Sequence, residues 1–435
     1  MSGDTASISS KDQPGQLEKK KFESKYMKLV DMTKVGKRFS TCYDYTHYEN
    51  NLARYSLTTL VNKFAIAVAN SRKISDSPST TTIEIGYNKR CTIFDDVIAI
   101  FPDGSIITGV YFKSSCMYRI EFLSDSEDKL SILNNQYEEI LKQSNFYQGK
   151  CIRIARHSID FINTPSVKMK DVILPDKIMK EFNLNVLEFL TEPKLQKITK
   201  KRGIILYGPP GTGKTTLVAG AFNYLVDKSV SCVFLTCETF SNMTVDQLFT
   251  FGVNYLAPVL LVFEDIDLIA YDRGGNDSPQ VMGSLLSSLN GIETPAEPIV
   301  VIGTTNRFDV LDKAIIRPCR FDRRFHLDYP NKDELKCLYH LFSGDDAPQK
   351  LLQQDKLTGA HVREIYETSR LLAAQNEGEF KQYVDQAIDI VVENFYLSSG
   401  GVGFAKSKGD KKLIDESSKQ PEAAERSEPE DTKRE

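Results

Sequence analysis

The sequence predicts an α/β protein: a parallel sheet with flanking helices, followed by a small all-α lid and preceded by an α+β domain. Three observations lead there. Between residues 166 and 330, short apolar runs alternate with helical patterns, the texture of a parallel sheet whose crossovers are helices. Beyond Pro330 the strand-like runs stop, and helical periods remain at roughly 332–343, 360–375 and 379–396. Ahead of residue 166, strand-like runs follow one another without that alternation. The expected divisions are 1–23, a disordered leader; 24–165, the α+β N-terminal domain; 166–330, the α/β domain; 331–400, the helical lid; and 401–435, a disordered charged tail.

At 435 residues the chain is long enough for two or three domains, each with its own core. Its 41% hydrophobic and 26% charged content is that of an ordinary globular protein. A formal net charge of −4 supplies no global basic field, which argues against nucleic acid or anionic membrane as a partner. No stretch approaches the ~18 apolar residues of a membrane span, and "MSGDTASISSKDQPGQLEKKK" has no apolar core for a signal peptide. The eight cysteines are scattered, with no C-x-x-C pair and no His-x3-His to complete a zinc site. Packed, reduced thiols in a reducing compartment are the expectation, with the cytoplasm as the default location.

The elements are justified in order. Residues 1–23 are polar, with Gly, Pro and Ser, and Lys19–Lys21 reads as a solvated run. In the N-terminal domain, "LTTLVNKFAIAVANSRK" (57–73) has helical spacing and "KLSILNNQYEEILKQ" (129–143) is a second helix. "TTIEIGY", "VIAIF", "SIITGVYF" and "CMYRIEFL" read as strands, and "KCIRIAR" (150–156) as another. "FPDGSI" (101–106) is a hairpin turn, because Pro fixes one φ and Gly is free to take a positive one. Tyr43, Tyr45 and Tyr48 invite a base-stacking reading, yet acids are interleaved, and such tyrosines usually half-bury on a helix or strand. No chemical constellation appears in this domain.

Buried strands are expected at "GIILYG" (203–208), "SCVFLTC" (231–237), "VLLVFE" (259–264) and "IVVIGTT" (299–305). Between the first of these and a helical pattern lies Gly208-Pro209-Pro210-Gly211-Thr212-Gly213-Lys214-Thr215, followed by Thr216. It fits G-x-x-x-x-G-K-[ST] in the strand–loop–helix context that this motif requires, so the sheet is that of a P-loop NTPase. Gly208, Gly211 and Gly213 let successive N–H groups point at one anion, and the helix adds the positive end of its dipole. Lys214 can reach the β- and γ-phosphates, and Thr215 can offer its hydroxyl to Mg2+. The ligand implied is a nucleoside triphosphate with its metal.

"LLVFEDIDLI" (260–269) then acquires a partner for its acids. Burying an ionised carboxylate is expensive, so Glu264 and Asp265 belong where the strand emerges beside the metal. By position Glu264 holds the Mg2+ shell with Thr215, and Asp265 orients or deprotonates the attacking water. The alternative is a slipped strand in which Glu264 takes the water.

At this point the chain resembles the AAA family of ATPases, over about residues 166–398. "LYGPPGTGKTT" and "LLVFEDID" are its two nucleotide motifs, and "SLLSSLNGIE" (284–293) is similar to the helix after the second. "VVIGTTNRFDVLDKAIIRPCRFDRRF" (300–325) resembles the family's second region of homology, and "LTGAHVREIYETSRLLAAQ" (357–375) its sensor-2 segment, with Gly359 and Ala360 near the nucleotide. The Glu-Asp order and "VILPDKIMKEFNLNVLEFL" are similar to the branch containing the mitochondrial inner-membrane chaperone that translocates the folded Rieske iron–sulfur protein, although no anchor segment is found here.

The resemblance implies ATP and Mg2+ as cofactors, hydrolysis to ADP and phosphate, and further roles. Asn306 would sense the γ-phosphate or attacking water. Arg320 and Arg323 would be arginine fingers acting on the nucleotide of the next subunit, a contribution of about 10³–10⁵ in rate. Arg317 and Arg324 would be structural, and Cys319 stands where the family has glycine. Fingers in trans imply a closed ring, six subunits by family habit or seven in this branch. Threading members carry an aromatic-apolar-Gly tip; "CETFSNMTVDQLF" (237–249) offers Phe240 and Met243 but no glycine, which suits a folded client better. The leading expectation is therefore an oligomeric ATPase that remodels or translocates a protein client. A nucleic-acid motor or loader and a slow nucleotide-dependent switch or scaffold are the alternatives.

Overall fold

The computed structural model describes residues 39–45, 49–73, 76–155, 158–236, 239, 245–267, 297–311 and 320–399. The chain opens with β1 (Phe39–Tyr45), α1 (Asn50–Phe64), β2 (Ala67–Ala69), β3 (Ser79–Gly86), β4 (Lys89–Ile100), β5 (Ile106–Phe112), β6 (Met117–Ser124) and α2 (Glu127–Gln143). The strands form an antiparallel sheet in the order β1-β6-β5-β4-β2, with β3 on the outer half of β4. Ala53, Leu57, Leu60 and Val61 recur at helical steps on α1 and meet Val97, Ala99, Ile107, Ile120 and Phe122 of the sheet. The turn at Phe101–Ser105 closes as its sequence requires, with Gly104 at φ +86°.

One expectation needs correction here. The helix read at 57–73 starts seven residues earlier, at Asn50, and stops at Phe64. Beyond it the chain becomes a strand, because the sheet edge offers the backbone partners that a continued helix would forgo. The Ile66 N–H donates to the Ile100 carbonyl, and Ala67–Ala69 pairs with Ile98–Ile100. Tyr43 and Tyr45 pack into the domain, the reading their interleaved acids favoured over base stacking. Tyr45 is buried, and Tyr43 packs edge-on to Phe122 and beside Tyr137. Tyr48 lies outside the described residues.

The second sheet has seven strands: β7 (Cys151–Ile154), β8 (Ile159–Phe161), β9 (Lys201–Tyr207), β10 (Ser231–Leu235), β11 (Val259–Phe263), β12 (Ile299–Thr305) and β13 (Arg323–His326). Their order is β13-β9-β12-β11-β10-β7-β8, all parallel except the β7–β8 pair. Side chains of β9, β11 and β12 divide alternately between two cores. Ile205, Leu261, Phe263 and Val301 go to one face, and Ile204, Leu206, Leu260, Val262, Val300 and Ile302 to the other. That is why these strands read as continuous apolar runs. The strand at 151–154, grouped by sequence with the preceding domain, pairs with β10, so this sheet begins ahead of residue 166.

Helices α3 (Asp176–Phe182), α4 (Lys214–Val226) and α5 (Val245–Phe251) lie between strands. The lid is α6 (Lys332–Ser343), α7 (Gly359–Gln375) and α8 (Val384–Ser399), around Leu335, Tyr339, Leu351, Val362, Ile365 and Ile388. β13 was hidden in the sequence because, of its four residues, only Phe325 is buried. Of the described cysteines, Cys151 and Cys232 are packed inside, whereas Cys42 and Cys337 are exposed, contrary to the expectation of packed thiols.

Candidate active site

The site forms where β9, β11 and β12 end. The loop after β9 turns back under Gly208, Gly211 and Gly213, all at positive φ, and launches α4. Gly208 is the tightest of them, for a Cβ there would lie 2.0 Å from the Leu327 carbonyl oxygen. The buried Lys214 folds its ammonium back over the loop and donates to the Gly208 and Pro209 carbonyls, each at 2.8 Å. The Thr212 hydroxyl donates to the same Pro209 carbonyl at 2.9 Å. Burial pushes the Lys214 ammonium below its ordinary value, and the charges of Asp265 and Asp267 oppose that.

The acids stand at the end of β11, as the cost of burying them demands. The strand ends at Phe263, and Asp265 takes a left-handed φ of +47° with its N–H donating to Thr304 Oγ1 at 3.2 Å. The Thr215 hydroxyl donates to Glu264 Oε1 at 3.3 Å, so the hydroxyl and the carboxylate face one point. Burial raises the Glu264 carboxyl above the usual carboxylate range; the Thr215 hydrogen bond opposes this, and Asp265 adds to it. Asp267, three residues on, is buried with Oδ1 lacking a partner.

A cavity of about 660 Å³ gathers these groups. Pro210, Gly211, Thr212, Gly213, Lys214, Thr215, Thr216, Glu264, Asp265, Asn306, Gly359 and Ala360 all line it. Gly208 and Pro209 lie just behind, through their bonds to Lys214. The lid reaches the loop directly: the Ala360 N–H donates to the Gly211 carbonyl at 3.4 Å. Arg320 and Arg323 are not brought in. Arg320 packs against Gly203, five residues before Gly208, which is about 16 Å along a strand. Phe240, Met243, residues 284–293, Arg317 and Cys319 lie outside the described residues.

Several lining residues carried no signal in the motifs. Val172, Ile173, Leu174, Leu338 and Phe342 make an apolar wall opposite the phosphate loop, suited to a planar base. The run Val172-Ile173-Leu174-Pro175 was the only trace of it. Arg363, one turn into α7, brings a cation from the lid, and its Nε donates to Glu367 at 2.7 Å.

The residues present fit a magnesium triphosphate. Among the described residues no group of three or more His, Cys, Asp or Glu side chains could hold a metal alone. Mg2+ needs no such cage, since it keeps waters and phosphate oxygens and takes one or two protein oxygens. Thr215 Oγ1 and Glu264 Oε1, 3.3 Å apart, could supply that pair. No helix among the described residues is long and apolar enough to cross a membrane.

Comparison with known proteins points to the same stretch of the chain. The ATPase family associated with various cellular activities (AAA) matches residues 204–329. The ATP-dependent zinc metalloprotease FtsH of Ureaplasma parvum is 31% identical over 235 residues, 49% of this chain and 32% of that protein. FtsH 1 of Conexibacter woesei is 25% identical over 363 residues, 77% of this chain and 53% of its own length. The ribosome biogenesis ATPase RIX7 of Saccharomyces cerevisiae is 25% identical over 301 residues, 63% of this chain and 35% of its own. The chain thus spans about a third to a half of the length of these relatives.

Proposed function

This chain carries an AAA-family domain over residues 204–329, and from that premise we propose that it hydrolyses ATP with Mg2+ and works as a ring that remodels or translocates a protein partner. The observation that carries the reading is the Thr215–Glu264 contact beside Lys214 at the N-terminus of α4. It joins the two motifs into one metal-and-phosphate site. The ATP-dependent names of the relatives support it.

The loop amides from Gly211 to Thr215 and the α4 terminus bind the phosphate charge, and Lys214 adds a cation beside them. Magnesium, when bound, would neutralise phosphate charge. Thr215 and Glu264 would hold that ion's shell. Asp265, turned by its left-handed φ, takes the proton of the attacking water, and the Asn306 amide fixes that water against the γ-phosphate. Gly359 and Ala360 close the lid on the nucleotide.

Neither Arg320 nor Arg323 lines the cavity of its own chain, which supports their acting on a neighbour's nucleotide in a ring of six, or of seven. The acidic balance of the chain favours a protein client over nucleic acid, and a cytoplasmic location is the default.

Asp265→Asn should bind ATP as the parent does and lose about 10²–10⁴ in turnover. Glu264→Gln should instead demand more Mg2+. Near-normal turnover in Asp265→Asn would remove Asp265 as the base, and brisk hydrolysis by Lys214→Ala would end the whole reading. Sedimentation with ATP tests the ring, which a monomer fully active at high dilution would refute.

A further inference from the structure

The strand that ends in the phosphate loop begins against the arginine segment. A Cβ on Gly203 would lie 1.8 Å from the Arg320 carbonyl oxygen and 3.1 Å from Phe321 Cα, so only glycine allows this approach. The next contact is made by Arg202. Its Nη1 is 3.8 Å from Asp322 Oδ2, and its guanidinium lies over the Phe189 ring, 5.8 Å from the centroid. Arg202 Nε is buried without a hydrogen-bond partner. Asp322 sits between Arg320 and Arg323 in "RFDR", and Arg323 pairs with Ile204 as β13 begins. Three successive residues of β9 therefore grip the four-residue segment Arg320–Arg323.

We propose that Arg202 is a positioning residue for Arg320 and Arg323: through Asp322 it fixes the arginine segment on the first half of β9 and so aims both guanidiniums at the nucleotide of the next subunit. The inference rests on the reading of those arginines as groups acting in trans. Magnitudes favour aim over stability as its role. A half-exposed ion pair at this distance adds little to the folded state. A reacting group misplaced by an ångström can lose about 10²-fold in rate. A planar guanidinium stacked on Phe189 fixes direction as well as charge, which a lysine does not. Because Gly208 follows the last residue of the same strand, the segment serving the neighbour is tied to this subunit's own phosphate loop.

The test uses full-length chain in mixed rings. Arg202→Ala should keep the parent's affinity for a non-hydrolysable ATP analogue while turnover falls about 10–100-fold, with Arg202→Lys between the two. Mixed with Lys214→Ala, whose arginines are intact, it should regain turnover above either variant alone. Arg320→Ala mixed with Lys214→Ala is the control. If the control regains turnover and the Arg202 mixture does not, Arg202 acts elsewhere and the inference fails while the trans reading stands. If neither regains it, the trans reading fails first. Parent-like turnover or lost analogue affinity in Arg202→Ala would also overturn the proposal. Asp322→Asn carries the same mixing test should Arg202→Ala fail to fold.

Discussion

Gly208 lies at φ +146° with no room for a Cβ beside the Leu327 carbonyl. Gly208→Ala must therefore strain the backbone, at about 1–3 kcal/mol, and also displace β13 or the loop. A chemical denaturation midpoint well below the parent's, with weakened ATP binding, is the expected outcome. An unchanged midpoint would mean that the loop has slack the packing does not show. At this scale the sequence was highly legible where chemistry fixes both residue type and spacing. The phosphate loop, Glu264, Asp265 and Asn306 could be named because each lies at the end of an apolar run. Arg363 and the wall around Phe342 could not, since an exposed arginine and a helical apolar stripe are commonplace until folding places them opposite the loop.

The lid helix α7 begins with a capping box that depends on a histidine. The Thr358 N–H donates to His361 Nδ1 at 3.1 Å, while the His361 N–H donates to Thr358 Oγ1 at 3.5 Å. Nδ1 must be an acceptor here, so the ring is neutral, and burial pushes its pKa below the ordinary value. The folded state then binds this proton less readily than the unfolded chain. The cap's contribution is present above the ordinary histidine value of about 6.5 and is lost as pH falls through the lower folded value. Hydrogen-exchange protection of the 358–363 amides should decline on that acid side, and His361→Gln should flatten the decline. The same decline in His361→Gln would exonerate the histidine. Elements with a full period were readable, as with α6, which spans Lys332–Ser343 as expected. Elements set by a neighbour were not: β2 exists because β4 offers an edge, and β13 because β9 does.

At the scale of the whole molecule, β7 extends the parallel sheet beside β10. Ser231, fully buried at the start of β10, accepts from the Gly149 N–H at 2.9 Å and donates to the Leu256 carbonyl at 2.5 Å. Thr239 Oγ1 donates to the Ile154 carbonyl at 2.7 Å at the strand's other end. Ser231→Ala would leave a buried donor and acceptor unmet, so stability should fall by about 1–3 kcal/mol in urea unfolding. A variant as stable as the parent would show that β7 docks by strand pairing and packing without this hydroxyl.

The sequence by itself determined the parallel sheet, the phosphate loop and the acids at a strand end. Those depend on local periodicity, on backbone freedom, and on the cost of burying charge, all of which are written into neighbouring residues. Tertiary structure alone decided that β7 and β8 extend the sheet, and that Arg320 packs on the first half of β9 with Arg323 beside its middle, neither of them lining the cavity. Each is a contact between segments far apart along the chain, fixed by which strand edge or apolar face happened to be open, and composition and spacing do not encode that.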